Sequence, residues 1–221
     1  MLRAVIFDLD GTLIDSEILW TKANVEMVHD LGNTYDPSFQ KKIMGMPGLI
    51  ASRLIKEEYD LTFPAEEINR MKNEYYKKVC HEHGPDAKPG ADRLLRELYN
   101  AGVPIALATS AGRAEAEGTL RRLGWLDLFK EIVVAADVQN GKPAPDIYLE
   151  AARRIGCTAN TCVGIEDSPN GVRSAVAAGL VVVGLKDERY VDELPGASLV
   201  VTSLEQITLD RIKGLLVTKI R

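Results

Sequence analysis

RAVIFDLDGT, residues Arg3–Thr12, is the stretch from which the fold is predicted. Its apolar run Ala4–Phe7 is typical of a strand buried on both faces of a parallel sheet. The run ends at Asp8 and Asp10, which can point the same way because side chains alternate along an extended backbone, while Leu9 points back into the protein. Two carboxylates this close repel each other, so either one keeps its proton or a cation lies between them.

Two other interpretations of this stretch need no catalytic chemistry. An Asp-Gly turn after a strand is common and purely structural. A calcium-binding loop requires glycine at its sixth position and glutamate at its twelfth. Counted from Asp8, those positions hold Leu13 and Leu19, so a calcium loop is rejected.

Outward from this strand, the chain beyond Pro89 alternates between apolar runs and amphipathic segments. We predict an α/β fold with a doubly wound parallel sheet and helices on both faces. Ligands bind at the carboxyl ends of the strands in such sheets. The predicted strands are 104–108, 132–135, 162–165, 181–185 and 198–201, and the predicted helices are 91–101, 113–123, 146–155, 171–178 and 209–217.

Between the first strand and this alternating region lies a segment without any strand pattern. Helical spacing of apolar residues predicts helices at 17–31, 37–44, 49–59 and 64–80. The segment is far longer than an ordinary loop, so we predict an inserted all-helical domain. The predicted domains are a core of residues 1–15 and 88–221 and a helical domain of residues 16–87.

Composition narrows the class of protein. The 221 residues are 46% hydrophobic and carry a net charge of −5 without a basic stripe, which argues against nucleic acid as a partner. No apolar run approaches ~18 residues, so no membrane partner is expected. The start of the chain shows no signal-peptide pattern, and three cysteines without CxxC spacing indicate a reduced compartment. We therefore expect a cytoplasmic monomer that acts on a small molecule.

Two further groups of residues are assigned structural roles. Cys162 lies in an apolar run and is predicted to be a small core residue rather than a nucleophile. His81 and His83 flank Glu82 near a helix end. Alternate positions on a helix do not face each other, so a solvated helix end is favoured over a metal site.

The second predicted strand of the sheet ends in two hydroxyl residues, Thr109 and Ser110, followed by Gly112 and a helix. A helix start exposes free N–H groups and favours an anion, so a phosphate group would bind there. Threonine and serine also cap helices for structural reasons alone, and both interpretations stay open.

Charged residues follow two more strands. Lys142 lies between Gly141 and Pro143, which restrict the backbone and so aim its side chain, although most lysines are solvated surface charges. Glu166 and Asp167 end an apolar strand. Together with Asp8 and Asp10 they make four carboxylates at the strand ends, a set that a hard divalent cation such as Mg²⁺ explains.

These strand-end groups together predict a phosphoryl-transfer site. Asp8 can attack phosphorus, Mg²⁺ can bridge carboxylate and phosphate, and Thr109 with Lys142 can hold the remaining phosphate oxygens. Asp10 can protonate the leaving oxygen and then accept a proton from water.

The four motifs FDLDGT (7–12), LATS (107–110), GKPAPD (141–146) and GIEDSPNG (164–171) resemble, in this order, those of the haloacid dehalogenase superfamily. The helical insertion resembles the cap of its β-phosphoglucomutase-like subfamily. The resemblance implies a nucleophile, a general acid/base, a Mg²⁺ site and a phosphate site. The resemblance assigns Asp8 as the nucleophile and Asp10 as the general acid/base. It implies that Asp8, the Asp10 backbone carbonyl and Asp167 hold Mg²⁺, with Glu166 nearby. It also implies that Thr109, Ser110 and Lys142 bind phosphate. Haloacid dehalogenases proper are excluded, because they lack the second aspartate and need no metal.

Within the subfamily the chain is most similar to phosphatases of sugar phosphates and of pseudouridine-5′-phosphate. Mutases of the group place a histidine in the first cap helix and an arginine in the cap loop, where this chain has Trp20 and Gly48. Lys72 does match a substrate-binding lysine of the mutase, so a phosphosugar mutase remains the alternative. Glu17, Met46 and Lys72 are expected to bind substrate.

A third hypothesis comes from a different class of protein. Response-regulator receiver domains also combine a phosphorylated aspartate, Mg²⁺-binding acids, a hydroxyl residue and a lysine on a doubly wound sheet. Asp10, which supplies a proton relay, and the inserted domain, which supplies a substrate pocket, both favour an enzyme. The function predicted from the sequence is therefore a Mg²⁺-dependent phosphatase of small phosphorylated metabolites.

Overall fold

The computed structural model describes residues 2–44, 46–189 and 193–218. The chain divides into two compact units, one made of Met1–Ile14 and Ala87–Arg221 and the other of Asp15–Asp86. Both junctions lie one residue before the boundaries expected from the sequence. We call them the sheet unit and the helical unit.

The described part of the sheet unit contains six parallel strands in the order β3-β2-β1-β4-β5-β6. The chain moves outward from β1 to β3 and then returns to the other side of β1, and the carboxyl ends of β1 and β4 at such a reversal are where open parallel sheets bind ligands. The predicted doubly wound parallel sheet is confirmed. The strands are β1 (Ala4–Phe7), β2 (Ile105–Thr109), β3 (Glu131–Val134), β4 (Cys162–Glu166), β5 (Val181–Leu185) and β6 (Leu199–Val201). The helices are α1 (Ser16–Asp30), α2 (Gln40–Ile43), α3 (Gly48–Glu58), α4 (Ala65–Glu82), α5 (Ala91–Asn100), α6 (Arg113–Arg122), α7 (Asp146–Ile155), α8 (Pro169–Ala177) and α9 (Leu209–Thr218).

The sheet is buried on both faces because helices pack on each side, and successive side chains of a strand point to opposite sides. Val5 and Phe7 of β1 belong to the core on one face, with the leucines of α5 and residues of α6 and α9. Ala4 and Ile6 belong to the core on the other face, with α7 and α8. All four β1 side chains are fully buried, which explains why the strand is continuously apolar rather than alternating.

The helical unit contains α1–α4, and its described residues include no strand. Its apolar core includes Met27, Phe39, Ile55 and Ile68, all nearly inaccessible to solvent. Helix α4 packs against both α1 and α3. The insertion is therefore all-helical, as its lack of a strand pattern predicted.

Some predicted helix ends differ from the observed ones. The helix predicted at 37–44 is a 3₁₀ turn, Pro37–Phe39, followed by the short α2, because the Asp36 carboxylate caps the turn by accepting the Ser38 N–H at 2.8 Å. Helix α8 begins at Pro169, two residues before the predicted start. The Ser168 hydroxyl accepts the Gly171 N–H at 3.0 Å, and proline suits the first helical position.

The groups that were assigned structural roles from the sequence lie as expected. Cys162 is buried in β4, and burial raises the pKa of its thiol to about 12, so it is an inert core residue. His81 and His83 are exposed at the end of α4. None of the helices in the described ranges is both long enough and apolar enough to cross a membrane.

Candidate active site

The carboxyl ends of three strands meet because the strands are in register. Phe7 of β1 pairs with Leu107 of β2 on one side and with Ile165 of β4 on the other. The next residue along β1 is Asp8, whose N–H donates to the Ile165 carbonyl at 3.0 Å. The Thr109 end of β2 and the Glu166 end of β4 therefore flank Asp8.

The turn after β1 brings two segments of the chain together. Gly11 has a φ of +80°, and a side chain there would overlap the carboxylate of Asp167. The hydroxyl of Thr12, which is fully buried, donates to Asp167 Oδ1 at 2.9 Å. Leu9 points into the core as predicted. The first motif thus places Asp8 and also holds Asp167.

Three carboxylates converge at this edge of the sheet. Asp8, Glu166 and Asp167 each offer a ligand oxygen, and these oxygens all lie within 4.8 Å of one another. Asp10 is half-buried in the same turn, where its backbone forms a bridge with Ile14. The structure therefore brings together three of the four acids that the sequence analysis singled out, and Asp10 lies in the adjoining turn.

Burial governs the protonation of these acids. Burial raises the pKa of Asp8 to about 7, with Lys142 opposing the shift and Glu166 adding to it. Burial, followed by the charge of Asp8, holds the pKa of Asp167 well above its usual range. Oxygen ligands this close together with surplus negative charge suit a hard divalent cation, because the cation would offset the repulsion that favours their protonated forms.

Lys142 joins two of these acids. Its Nζ lies 2.5 Å from Asp8 Oδ1 and 2.6 Å from Glu166 Oε1, and its side chain is 8% exposed. Burial alone would lower its pKa, but the two carboxylates outweigh that effect and raise the pKa above its ordinary value. The lysine is therefore a fixed positive charge at the strand ends, not a solvated one.

The loop that carries Lys142 is closed by one hydrogen bond of its own and tied to α8 by another. The Ala144 N–H donates to the Gly141 carbonyl at 3.0 Å. The buried hydroxyl of Ser174, on α8, donates to the Ala144 carbonyl at 2.5 Å. The loop is thus tied to the helix that follows Glu166 and Asp167.

Glu166 is fully buried and accepts five hydrogen bonds. Oε1 accepts from Lys142 Nζ at 2.6 Å and from the Tyr148 hydroxyl at 2.8 Å. Oε2 accepts from the Asp167 N–H, the Ser168 N–H and the Ser168 hydroxyl at 3.1, 3.3 and 3.2 Å. A side chain at Gly171 would overlap this carboxylate, so only glycine lets α8 start here.

The two hydroxyl residues of β2 differ in exposure. Thr109 is fully buried, and its Oγ1 accepts the Ala111 N–H at 3.0 Å. Ser110 is exposed. The capping-type bond of Thr109 orders the turn before α6, and it leaves the hydroxyl hydrogen able to donate to another group.

The residues predicted to bind substrate from the insertion lie in the helical unit. Lys72 is 7% exposed, and its Nζ lies 5.2 Å from the Trp20 ring. Burial lowers its pKa, although Glu17 opposes the shift. Glu17 is half-buried and accepts from Gln40 Nε2 at 3.4 Å, whereas Met46 is 41% exposed.

Sequence reasoning missed several polar residues that complete these clusters. Thr12 was quoted in the first motif without a role of its own, and Tyr148 and Ser174 were not singled out, because each lies in a helix whose pattern indicates core packing. Gln40 was missed for the same reason; its Oε1 accepts from Asn24 Nδ2 at 3.0 Å and from the Tyr35 hydroxyl at 2.7 Å. The available signal was chemical: a polar group at a core position needs a partner.

The sequence of this chain is similar to those of known proteins. A model of the haloacid dehalogenase-like hydrolases matches residues 5–185. A Drosophila melanogaster protein named "Probable pseudouridine-5′-phosphatase" is 37% identical over 194 residues, which are 85% of this chain and 83% of the relative. Hexitol phosphatase A of Escherichia coli is 33% identical over 213 residues, which are 95% and 94% of the two chains.

Solved structures agree with the sequence matches. The β-phosphoglucomutase of Clostridium difficile is similar with a TM-score of 0.78 and 27% identity, covering 100% of this chain and 99% of that one. This chain belongs to the haloacid dehalogenase-like hydrolase family, as its four motifs predicted. The curated relatives described above are named as phosphatases, and the predicted class of enzyme, a phosphoric monoester hydrolase, is confirmed.

Proposed function

We propose that the chain is a Mg²⁺-dependent phosphatase that hydrolyses small phosphorylated metabolites, chiefly sugar phosphates, through an aspartyl-phosphate on Asp8. The observation that carries the proposal is the group at the strand ends, in which Asp8 lies 2.5 Å from a buried lysine and beside Glu166 and Asp167. Membership of the hydrolase family and the names of the relatives support the same chemistry.

In the first step a carboxylate oxygen of Asp8 forms a bond to phosphorus. The bond between phosphorus and the ester oxygen breaks, and the leaving oxygen takes a proton from the Asp10 carboxyl group. Lys142 stays beside Asp8 and neutralises charge on the phosphoryl oxygens, to which Thr109 and Ser110 donate hydrogen bonds.

In the second step water attacks the aspartyl-phosphate. The water oxygen bonds to phosphorus and passes a proton to the Asp10 carboxylate, which the first step left ionised. The bond between phosphorus and the Asp8 oxygen then breaks, so that inorganic phosphate is released and both aspartates return to their starting states.

The side chains of Asp8 and Asp167 and the backbone carbonyl of Asp10 would hold Mg²⁺, with the Glu166 carboxylate nearby. When bound, Mg²⁺ supplies positive charge that offsets the repulsion between the nucleophile and the phosphoryl oxygens. Burial and the neighbouring carboxylates raise the pKa values of Asp8 and Asp167, and a bound cation would lower them by favouring the ionised forms.

The helical unit is proposed to be the cap that selects the substrate. Glu17, Met46 and Lys72 are the residues proposed to bind the part of the substrate beyond its phosphate. Lys72 supports this role, because burial lowers its pKa and an anionic ligand would restore the balance of charge.

The alternative function is that of a phosphosugar mutase, since one structurally similar protein is a β-phosphoglucomutase. A mutase must bind a second phosphate away from Asp8, which needs further cationic groups. Arg113 is engaged elsewhere: its guanidinium contacts Asp137 Oδ2 at 2.7 Å, Glu117 Oε1 at 3.2 Å and the Ile132 carbonyl at 3.1 Å. Trp20 stacks on Tyr76 at 3.7 Å, so neither side chain favours a second phosphate site.

A panel of phosphate esters assayed with Mg²⁺, with EDTA and after Mg²⁺ is restored tests the proposal. We expect phosphate release that is lost with EDTA and recovered with Mg²⁺. Turnover that survives metal removal would contradict the mechanism, and an absence of turnover on every ester would contradict the class of activity.

Phosphatase and mutase are distinguished by following β-glucose 1-phosphate by ³¹P NMR with a trace of the bisphosphate. We expect release of inorganic phosphate to exceed interconversion, because water reaches the aspartyl-phosphate more readily than a sugar hydroxyl that no second phosphate site holds. Accumulation of glucose 6-phosphate without free phosphate would identify a mutase.

A further inference from the structure

Tyr148 lies inside the core but contacts Glu166 and Lys142, two of the charged residues at the strand ends. It occupies the first turn of α7 and is fully buried among the apolar residues between the sheet and α8. Its hydroxyl donates to Glu166 Oε1 at 2.8 Å, and its ring centroid lies 5.2 Å from Lys142 Nζ. One side chain therefore meets the acid through its polar tip and the lysine through its aromatic face.

The hydroxyl of Tyr148 completes the hydrogen bonding of Glu166. A carboxylate has about four lone-pair sites on its two oxygens. Glu166 accepts three hydrogen bonds on Oε2 and two on Oε1, from Tyr148 and Lys142. Every acceptor direction is used, so the carboxylate is held in one orientation.

Lys142 has no comparable rigidity of its own. A lysine ammonium sits on a flexible four-carbon stem and donates in three rotatable directions. Here Glu166 Oε1 and the Tyr148 ring restrict it from two sides, and Asp8 Oδ1 lies on a third. Its direction toward Asp8 depends on neighbours that are themselves fixed.

We propose that Tyr148 is a positioning residue for Lys142: its hydroxyl fixes Glu166 Oε1 and its ring face supports the ammonium, so that the lysine is held at Asp8. The proposal rests on the proposed function for its kinetic consequence, but its structural consequence can be measured without any reaction. Loss of the hydroxyl leaves Oε1 with Lys142 as its single donor, so the ammonium can move toward Glu166 and away from Asp8.

Tyr148→Phe removes the hydroxyl and keeps the ring. Tyr75→Phe is the matched control, because the Tyr75 hydroxyl donates to the carboxylate of Asp30 at 2.6 Å in the helical unit. With p-nitrophenyl phosphate we expect Tyr148→Phe to lower kcat about tenfold and to change KM less than about threefold, since the ammonium remains in the site. Tyr75→Phe should leave both constants unchanged.

A spectroscopic measurement reports the lysine directly. In protein with ¹⁵N-labelled lysine, the buried Lys142 ammonium should give a resolved, slowly exchanging ¹H–¹⁵N signal, assigned by its loss in Lys142→Arg. We expect Tyr148→Phe to shift or broaden this signal and Tyr75→Phe to leave it in place. Melting temperatures of all variants are recorded, so that unfolding is not mistaken for displacement.

Tyr148→Met is a second variant that lacks both ring and hydroxyl. We expect a larger loss of kcat than in Tyr148→Phe, because the cation–π contact is lost as well. Wild-type kcat and an unshifted Lys142 signal in Tyr148→Phe would overturn the proposal, even if Tyr148→Met is impaired. A shifted signal in a chain that hydrolyses no ester would support the positioning role and contradict the proposed function.

Discussion

Lys142 in the sheet unit and Lys72 in the helical unit are both largely buried, and each lies 5.2 Å from an aromatic ring. Their pKa values nevertheless shift in opposite directions. Two carboxylates within 2.6 Å raise the pKa of Lys142, whereas burial lowers that of Lys72 because the opposing effect of Glu17 is smaller.

The opposite pKa shifts show that the two lysine charges are compensated to different degrees by nearby carboxylates. Asp8 and Glu166 pair with Lys142 and keep it protonated. The positive charge proposed to bind the phosphate is therefore present before the substrate binds. Glu17 offsets only part of the effect that burial has on the charge of Lys72. A ligand that supplies the missing negative charge would bind there with a gain, as we propose for the substrate.

The largest effect is expected from replacing Asp8, which is the ion-pair partner of Lys142 and the proposed nucleophile. Asp8→Asn should abolish turnover, a loss of roughly 10⁴-fold or more, because an amide oxygen cannot form the aspartyl-phosphate. Hydrolysis assays check the loss, and acid quench with labelled substrate should place the label on Asp8 in wild type.

Asp210→Asn is the control, since Asp210 is an exposed aspartate at the start of α9. It should keep full activity. Label on another residue, or substantial activity in Asp8→Asn, would refute the assignment of the nucleophile.

Asp10→Asn tests the proton relay next to the same cluster. We expect a loss of ~10²–10⁴-fold, the usual contribution of a general acid or base. The loss should be larger for a sugar phosphate than for p-nitrophenyl phosphate, because nitrophenolate leaves without needing a proton. Equal losses on both esters would show that Asp10 does not protonate the leaving oxygen.

Lys72→Met tests the other member of the comparison. We expect KM for sugar phosphates to rise about tenfold, because a charged hydrogen bond to the substrate is lost. KM for p-nitrophenyl phosphate should change less than about twofold, since the phosphate itself is proposed to bind beside Asp8. Lys77→Met, an exposed position on the same helix, should change neither constant. A rise in KM that is equal for all esters would remove Lys72 from the substrate-binding residues.

The smallest expected effect is on stability and has a defined dependence on pH. The pKa of Lys72 in the folded state lies below its ordinary value of 10.5, so between the two pKa values the unfolded chain binds more protons and stability rises with pH. Keeping the charge buried therefore costs stability at low pH, and the cost disappears as pH rises toward 10.5. Lys72→Met should raise the melting temperature at pH 7, on the order of 2 °C.

The gain in Lys72→Met should be smaller at pH 10 than at pH 7, and Lys77→Met should show no such trend. Thermal unfolding followed by circular dichroism at both pH values measures it. A lower melting temperature in Lys72→Met at pH 7 would mean that the charge of Lys72 is compensated inside the helical unit after all.

Much of the sheet unit could be predicted because its signals are local. Ala4–Phe7 is apolar at every position, and the acids, hydroxyls and lysine follow strands directly. Ligands bind at the carboxyl ends of parallel strands, and this rule was enough to group these residues into one site. Tyr148 could not be found this way. It occupies an apolar-spaced position of α7, and nothing near it in the sequence shows that a carboxylate will lie 2.8 Å away.

The helical unit was predicted as a block of helices but not in its polar interior. Gln40 was expected to lie on a helix running from 37 to 44, whereas it begins the short α2 and its Oε1 accepts from Asn24 and Tyr35. Helical spacing predicts which side of a helix is buried. It does not predict which buried polar atoms will meet, because their partners come from other helices.

The sequence by itself determined the family, the alternation that builds the sheet and the identity of the acids, hydroxyls and lysine at the strand ends, since each depends on residue types at short spacing. Tertiary structure alone decided that Lys142 pairs with Asp8, 134 positions away, and with Glu166, and that Tyr148 holds that acid. It also decided the opposite pKa shifts of Lys142 and Lys72. A charge responds to the burial and the carboxylates around it, and packing between distant segments of the chain sets both.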